Sequence, residues 1–176
     1  MNDVADAAGV TKPVLYQHFS SKRELYHALL EDVGAQMVGA FTQAAAGAVS
    51  GREQTRLGFL AYFRWVVANR DAFRLLYGGG SRQDDEFARA VRRFTDASAH
   101  AIAPLIAADI DADHQLMLAH AIVGMAEGAS RMLLERGGEF DPDVVAERLS
   151  ALAWAGLRGV EPGGQHTDDA AALLLD

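Results

Sequence analysis

Three groups of residues have types and spacings that could do chemistry. The first is Thr11-Lys12-Pro13-Val14-Leu15-Tyr16-Gln17-His18 followed by Lys22 and Arg23, a stretch that mixes cationic, hydroxyl and amide donors and contains no acid. Such a set can donate to phosphate oxygens and to the acceptor atoms on base edges. The second is acidic: Asp84-Asp85-Glu86 and Asp109-x-Asp111-x-Asp113. The latter lacks the glycine and closing glutamate of a calcium-binding EF-hand loop, so a solvated interhelical loop whose charges cap a helix is the expectation. The third is His100, His114 and His120. The last two stand six apart, whereas ligands sharing one helical face stand three or four apart. No metal and no cofactor is expected.

Composition narrows the classes further. The chain has 176 residues, a net charge of −8 and no cysteine, which removes disulfides, cysteine-ligated zinc, iron–sulfur clusters and thiol catalysis. Neither a glycine-rich phosphate loop nor a nucleophile elbow is present, so the expectation is that the chain is not an enzyme. The acidic balance argues against sequence-blind coating of nucleic acid, which needs a broad basic surface. It leaves room for one small basic face, and residues 11–23 are the place for it. No apolar run approaches a membrane span and no signal peptide opens the chain, so a cytoplasmic protein without membrane contact is expected.

The elements that must position these residues read as helices throughout. The chain is rich in alanine and leucine and has no alternating strand pattern, which predicts an all-α fold. Breakers at Gly9-Val10, Ser20-Ser21, Gly47 to Gly51, Asn69 to Asp71, Gly78 to Gly80, Asp109 to Asp113, Gly137-Gly138 and Gly159 to Gly164 predict helices of about 7, 8, 26, 18, 7, 24, 23 and 17 residues. Thr11, Ser20 or Ser21, and Asp141 are the expected N-caps. The division that follows is residues 1–45 as a small leading unit with its connecting helix, 50–159 as a larger helical body, and 160–176 as a flexible tail.

Within the leading unit, two short helices joined by a glycine-containing turn make a helix-turn-helix. Gly9 takes the left-handed position, Val10 plugs the angle between the helices, and Leu15 and Phe19 face Val4, Ala5, Ala8, Leu25 and Leu29. That leaves Lys12, Pro13, Tyr16 and Gln17 outward.

The run Ala5-x-x-Ala8-Gly9-Val10-Thr11-Lys12-Pro13-Val14-Leu15-Tyr16-Gln17-His18-Phe19-Ser20-Ser21-Lys22-Arg23-Glu24-Leu25 resembles the DNA-reading segment of the TetR family of transcriptional regulators. Leu-Tyr-x-His-Phe followed by Ser-Lys and Leu is its most discriminating part; a LacI-type repressor shares Asp-Val-Ala and Ala-Gly-Val but lacks Tyr-x-His-Phe. The resemblance implies that Lys12 reads a guanine, that Pro13 and Val14 touch a thymine methyl, and that Thr11, Tyr16, His18 and Lys22 hold phosphates, with Gln17 on the same face. Family members carry a further, usually basic helix before these two, and the first residue here stands inside the second, so a DNA-binding unit short of its first helix is expected.

For the body, the resemblance implies a small-molecule effector and a homodimer formed through the last two long helices. The stretch Phe59, Tyr62, Phe63, Trp65 and Val66, with Phe94, Met117, His120 and Met125, supplies candidate pocket residues for an apolar or aromatic ligand. Glu127, Arg131 and His100 are further polar candidates. Small residues at helical spacing, Gly124, Gly128 and Gly156, with Leu149 and Leu152, are the candidate dimer face. The functional expectation is a repressor that leaves double-stranded operator DNA when it binds such a ligand. The alternative is a dimeric helical ligand-binding protein that does not touch DNA.

Overall fold

The computed structural model describes residues 1–77, 85–137 and 139–160, the side chains of residues 85–87 excepted. It is built of α1 (Asn2–Ala7), α2 (Lys12–His18), α3 (Lys22–Ala46), α4 (Gly51–Ala68), α5 (Arg70–Tyr77), α6 (Asp85–Ile102), α7 (Ala112–Glu135) and α8 (Pro142–Leu157), with a 3-10 turn at Ala103–Leu105 after α6. No strand occurs among the described residues. The fold is all-α, with a leading helix-turn-helix followed by a helical body.

The helix starts are set by side chains that occupy otherwise orphaned backbone donors. Ser21 accepts from the Glu24 amide at 3.1 Å, while the Glu24 carboxylate reaches back to the Ser20 amide at 2.6 Å and to the Ser20 hydroxyl. The same reciprocal arrangement opens α4, where Ser50 accepts from the Glu53 amide at 3.2 Å and Glu53 accepts from the Val49 amide at 2.9 Å. In both, the glutamate returns to the residue before the cap, a one-residue variant of the capping box. Asp111 caps α7 through the His114 amide at 2.8 Å, and Asp141 caps α8 through the Asp143 amide at 2.9 Å.

Several sequence expectations are corrected. Thr11 stands at the N-cap of α2 but its side chain makes no capping bond; Pro13 lacks one of the amides such a cap would serve. The long helix expected to run to Ala108 stops at Ile102, because Pro104 disfavours helical geometry at Ala103 and the chain tightens into the 3-10 turn. The helix expected after the Asp109 to Asp113 breaker begins inside it, at Ala112, with Asp111 as its N-cap. The acidic run at Asp84 and the tail beyond Val160 lie outside the described residues.

The core of the body forms around α4, which packs between α3 and α8. Phe63, Val66, Met37, Phe73 and Leu76 are fully buried there. Phe63 stands edge-on to Tyr62 at 5.1 Å and to Phe140 at 6.5 Å between centroids, the geometry that ring quadrupoles favour. Arg64 ties α4 to the start of α8 by two bonds to Asp143, at 2.9 and 2.8 Å. Both side chains are more than half exposed, so the pair sets register more than stability. On the other side, α6 packs along α7 and α3, with Ala99 and Ala119 letting the backbones approach.

Candidate nucleic-acid interface and ligand cavity

The leading unit closes on a small core. Ala5, Leu15 and Leu25 are buried against one another, with Met1 and Phe19 packed on them. Gly9 has φ +67°, so the turn between α1 and α2 needs a residue that tolerates the left-handed region. Leu25 belongs to α3, so the position of α2 is fixed by the first turn of the long helix.

This core leaves α2 with an open outer face. Thr11, Lys12, Pro13, Val14, Tyr16, Gln17, His18 and Lys22 are all exposed, and Tyr16 shows 44% of its surface. Lysine, tyrosine, glutamine and histidine donors are therefore all open to solvent on a helix short and narrow enough for a major groove. Four of the expected apolar contacts are corrected: Val4, Ala8, Val10 and Leu29 are exposed. Leu15 and Phe19 spend their contacts on Ala5 and Leu25, which leaves the other side of α1 turned to solvent.

The body holds a cavity of about 450 Å³. Met37, Phe41 and Ala45 of α3 form one wall, and Gly51, Thr55, Gly58, Phe59 and Tyr62 of α4 another. Ser98 and Ile102 of α6, Ile122, Val123 and Ala126 of α7, and Trp154 and Leu157 of α8 complete it, with Tyr77 from the end of α5. Its α4 wall runs from Gly51 to Tyr62, a helical rise of about 16 Å. Two hydroxyls of the lining, one on α4 and one on α6, are already satisfied. Thr55 donates to the Gly51 carbonyl at 2.8 Å and Ser98 to the Phe94 carbonyl at 2.9 Å. Both thus turn their hydrogen inward to their own helix. Gln54, Asp109 and Arg158 add further polar and charged groups to the lining.

Of the expected pocket residues, Phe59 and Tyr62 line this cavity. Phe63 and Val66 belong to the solid core behind it, and Met125 packs on that core. Phe94 lies against Gly34 of α3. Met117 points to solvent with 60% of its surface exposed, and His120 faces Asp96 at 3.8 Å. His100 takes its own helix's Asp96 carbonyl as partner through Nδ1. Glu127 and Arg131 form an ion pair beside Tyr62. The Tyr62 and Ser130 hydroxyls sit next to one another there, buried, and neither closes a hydrogen bond. Burial pushes the Tyr62 and Tyr77 phenols well above their ordinary range, so both stay neutral hydroxyls.

The α3 and α8 contributions to the cavity were not read from sequence. Met37, Phe41 and Ala45 at four-residue spacing look like any core stripe. Trp154 lies over Gly51. The expected dimer face divides: Gly124, Gly128 and Gly156 are exposed with open space where a side chain would stand, and Leu152 is 61% exposed, whereas Leu149 packs half-buried on the core. Among the described residues no three histidine, aspartate or glutamate side chains gather as a metal site, and no helix is long and apolar enough to cross a membrane.

Comparison with known proteins gives concordant results. A family model described as bacterial regulatory proteins, tetR family, matches residues 1–29, and one described as tetracyclin repressor-like, C-terminal domain, matches residues 52–156. The HTH-type transcriptional activator FasR of Mycolicibacterium smegmatis is 33% identical over 162 residues, covering 91% of this chain and 74% of that protein. The HTH-type transcriptional repressor KstR2 of the same organism is 24% identical over 164 residues, covering 93% and 70%. Among solved structures, the TetR family regulator PfmR from Thermus thermophilus superposes with a TM-score of 0.66 at 21% identity, covering 91% of this chain and 88% of that one. A tetR-family regulatory protein from Rhodococcus RHA1 gives 0.66 at 20% identity, covering 91% and 85%. The matches at both ends of the chain, together with a FasR identity sustained over nearly its whole length, make it a member of the TetR family of bacterial transcriptional regulators, proteins that bind DNA and are not enzymes.

Proposed function

We propose that this regulator is a cytoplasmic, homodimeric repressor that holds operator DNA through the outer face of α2 and lets go when an apolar molecule fills the cavity of the body. The observation that carries the reading is the pairing of an open donor face on α2 with an apolar cavity whose wall includes α3, the helix on which α2 rests. In this reading residues 1–45 are the DNA-binding unit with its connecting helix and 50–159 the ligand-binding and dimerisation body. Lys12, Pro13, Val14 and Gln17 meet base edges; Thr11, Tyr16, His18 and Lys22 meet phosphates. Gly124, Gly128, Leu152 and Gly156 lie at the dimer seam, where exposed small residues admit a close approach of helices.

The effector is elongated and predominantly apolar. Its body lies between Thr55 of α4 and Ser98 of α6, neither of which has a free hydroxyl hydrogen to offer, and any polar group it carries meets Gln54 or Arg158. Burial of such a body is driven by its removal from water.

An activator is the second reading, favoured by the 33% identity to FasR, whose name makes it one. A reporter fused to a promoter that carries the selected operator separates the two. Deleting the gene raises expression for a repressor and lowers it for an activator. A protein that neither binds a selected duplex nor changes a reporter is the non-DNA-binding alternative.

A further inference from the structure

Two glycines of α4, Gly51 and Gly58, line the cavity, and the fold treats them differently. A Cβ on Gly51 would stand 3.1 Å from the Trp154 ring, so a side chain there crowds the indole. A Cβ built on Gly58 would meet nothing within 4 Å. Nor does Gly58 have the positive φ that sets Gly9 and Gly137 apart among the described glycines. It stands in the interior of α4 (Gly51–Ala68), where glycine is less favourable than alanine because it loses more backbone freedom on folding and adds no side chain to the packing. Neither backbone geometry nor a close neighbour requires glycine at this position. What its missing side chain does provide is room.

That room belongs to the cavity. Gly51, Thr55, Gly58 and Tyr62 follow one another at the three- and four-residue intervals of a single helical face, and all four are in the lining. Gly58 is therefore a recess in this face, with Thr55 one turn before it, Tyr62 one turn after it and the Phe59 ring beside it in sequence. An unbranched hydrocarbon chain has the same narrow section along its whole length and gains nothing from a widening at one point. A ring system is broad where the ring lies, and the neighbouring Phe59 and Tyr62 rings offer it aromatic surface. Resting on the effector reading above, we infer that Gly58 is the residue that sets which effector fits, and that it admits a ring-bearing apolar molecule in preference to an unbranched chain of similar length. The ring lies against the bare α4 backbone at Gly58, between Thr55 and Tyr62.

The test compares two neutral probes on the whole chain. Phenylnaphthylamine carries fused and single rings, and its emission reports its own binding; 1-decanol is an unbranched chain, and calorimetry follows it. The parent protein should bind phenylnaphthylamine the more tightly. Gly58→Leu, which fills the recess, should weaken phenylnaphthylamine by roughly tenfold or more and change the affinity for decanol by less than about twofold. Gly58→Ala should melt at a higher temperature than the parent, because alanine favours the helix and its methyl meets no neighbour, and should weaken phenylnaphthylamine less than leucine does. The alanine variant keeps the test valid if the leucine variant fails to fold. A parent that binds decanol as tightly as phenylnaphthylamine, a Gly58→Leu protein that loses both probes equally, or one that loses neither would overturn the role of Gly58 and leave the effector reading standing. A lower melting temperature in Gly58→Ala would overturn it too, since the recess would then be filled by the protein itself. Binding of neither probe to the parent would overturn the inference together with the cavity's role.

Discussion

Trp154 lies over Gly51 so closely that a Cβ at position 51 would stand 3.1 Å from its Cζ3 and 3.3 Å from its Cη2. The indole thereby closes the cavity where α4 begins and α8 ends. Gly51→Ala obliges the ring to shift towards the ligand space, because Ser50 and Glu53 fix the backbone of that first turn. Phenylnaphthylamine binding should weaken roughly tenfold, the effect of one to two kcal/mol of overpacking. Fluorescence titration checks it, and unchanged affinity would remove Trp154 from the cavity wall.

Two neighbours on α4 should respond in opposite ways to truncation. Phe63 is fully buried in the solid core, so Phe63→Ala should cost about 3–5 kcal/mol of stability. Tyr62 carries a buried hydroxyl without a hydrogen-bond partner, and an unmet polar group costs stability. Tyr62→Phe should leave the denaturation midpoint unchanged or raise it. A large loss in Tyr62→Phe would mean that its hydroxyl is bonded after all.

The start of α3 should be acid-sensitive. The Ser20 hydroxyl and amide hold the Glu24 carboxyl below its ordinary range, and Arg64 does the same for Asp143. A depressed folded-state value means that each carboxylate contributes stability above its unfolded value, a contribution lost as pH falls through the folded one. NMR titration of Glu24 should give a midpoint below about 4.3, the free glutamate value, accompanied by fraying of the first turn of α3. Glu24→Gln should remove that pH dependence. A midpoint at or above the free value would contradict the cap.

On DNA, the outer face of α2 should divide by chemistry. Lys12→Ala should change preference at one base position per half-site by roughly 1–3 kcal/mol, while Tyr16→Phe should weaken binding evenly across sequences. Competition gel shifts with single-position variants of the selected duplex test both. Uniform weakening by Lys12→Ala would make that lysine a phosphate contact.

Much of this was legible because the signals are local. Ser21 and Asp141 announce helix starts by a bond within three residues, as do the charges of the loop that holds Asp111, and Gly9 announces a turn by its own backbone. The outward face of α2 follows from the spacing of Leu15 and Phe19. What could not be read depends on which faces meet in space. Phe59, Phe63 and Phe94 are alike in sequence, yet one lines a cavity, one fills the core and one rests on Gly34. Pro104 ended α6 where composition alone continued it. The cavity wall from α3 was hidden because Met37, Phe41 and Ala45 have the pattern of a core stripe.

Whether the face of Lys12, Tyr16 and His18 reads a duplex is decided by selection of bound DNA from a random pool by the full gene product. The pool should become enriched in an inverted repeat whose half-sites lie about one helical turn or a multiple apart, and the enrichment should be lost when Lys12 and Tyr16 are both replaced by alanine. A pool that stays random while the protein is folded and dimeric would contradict it.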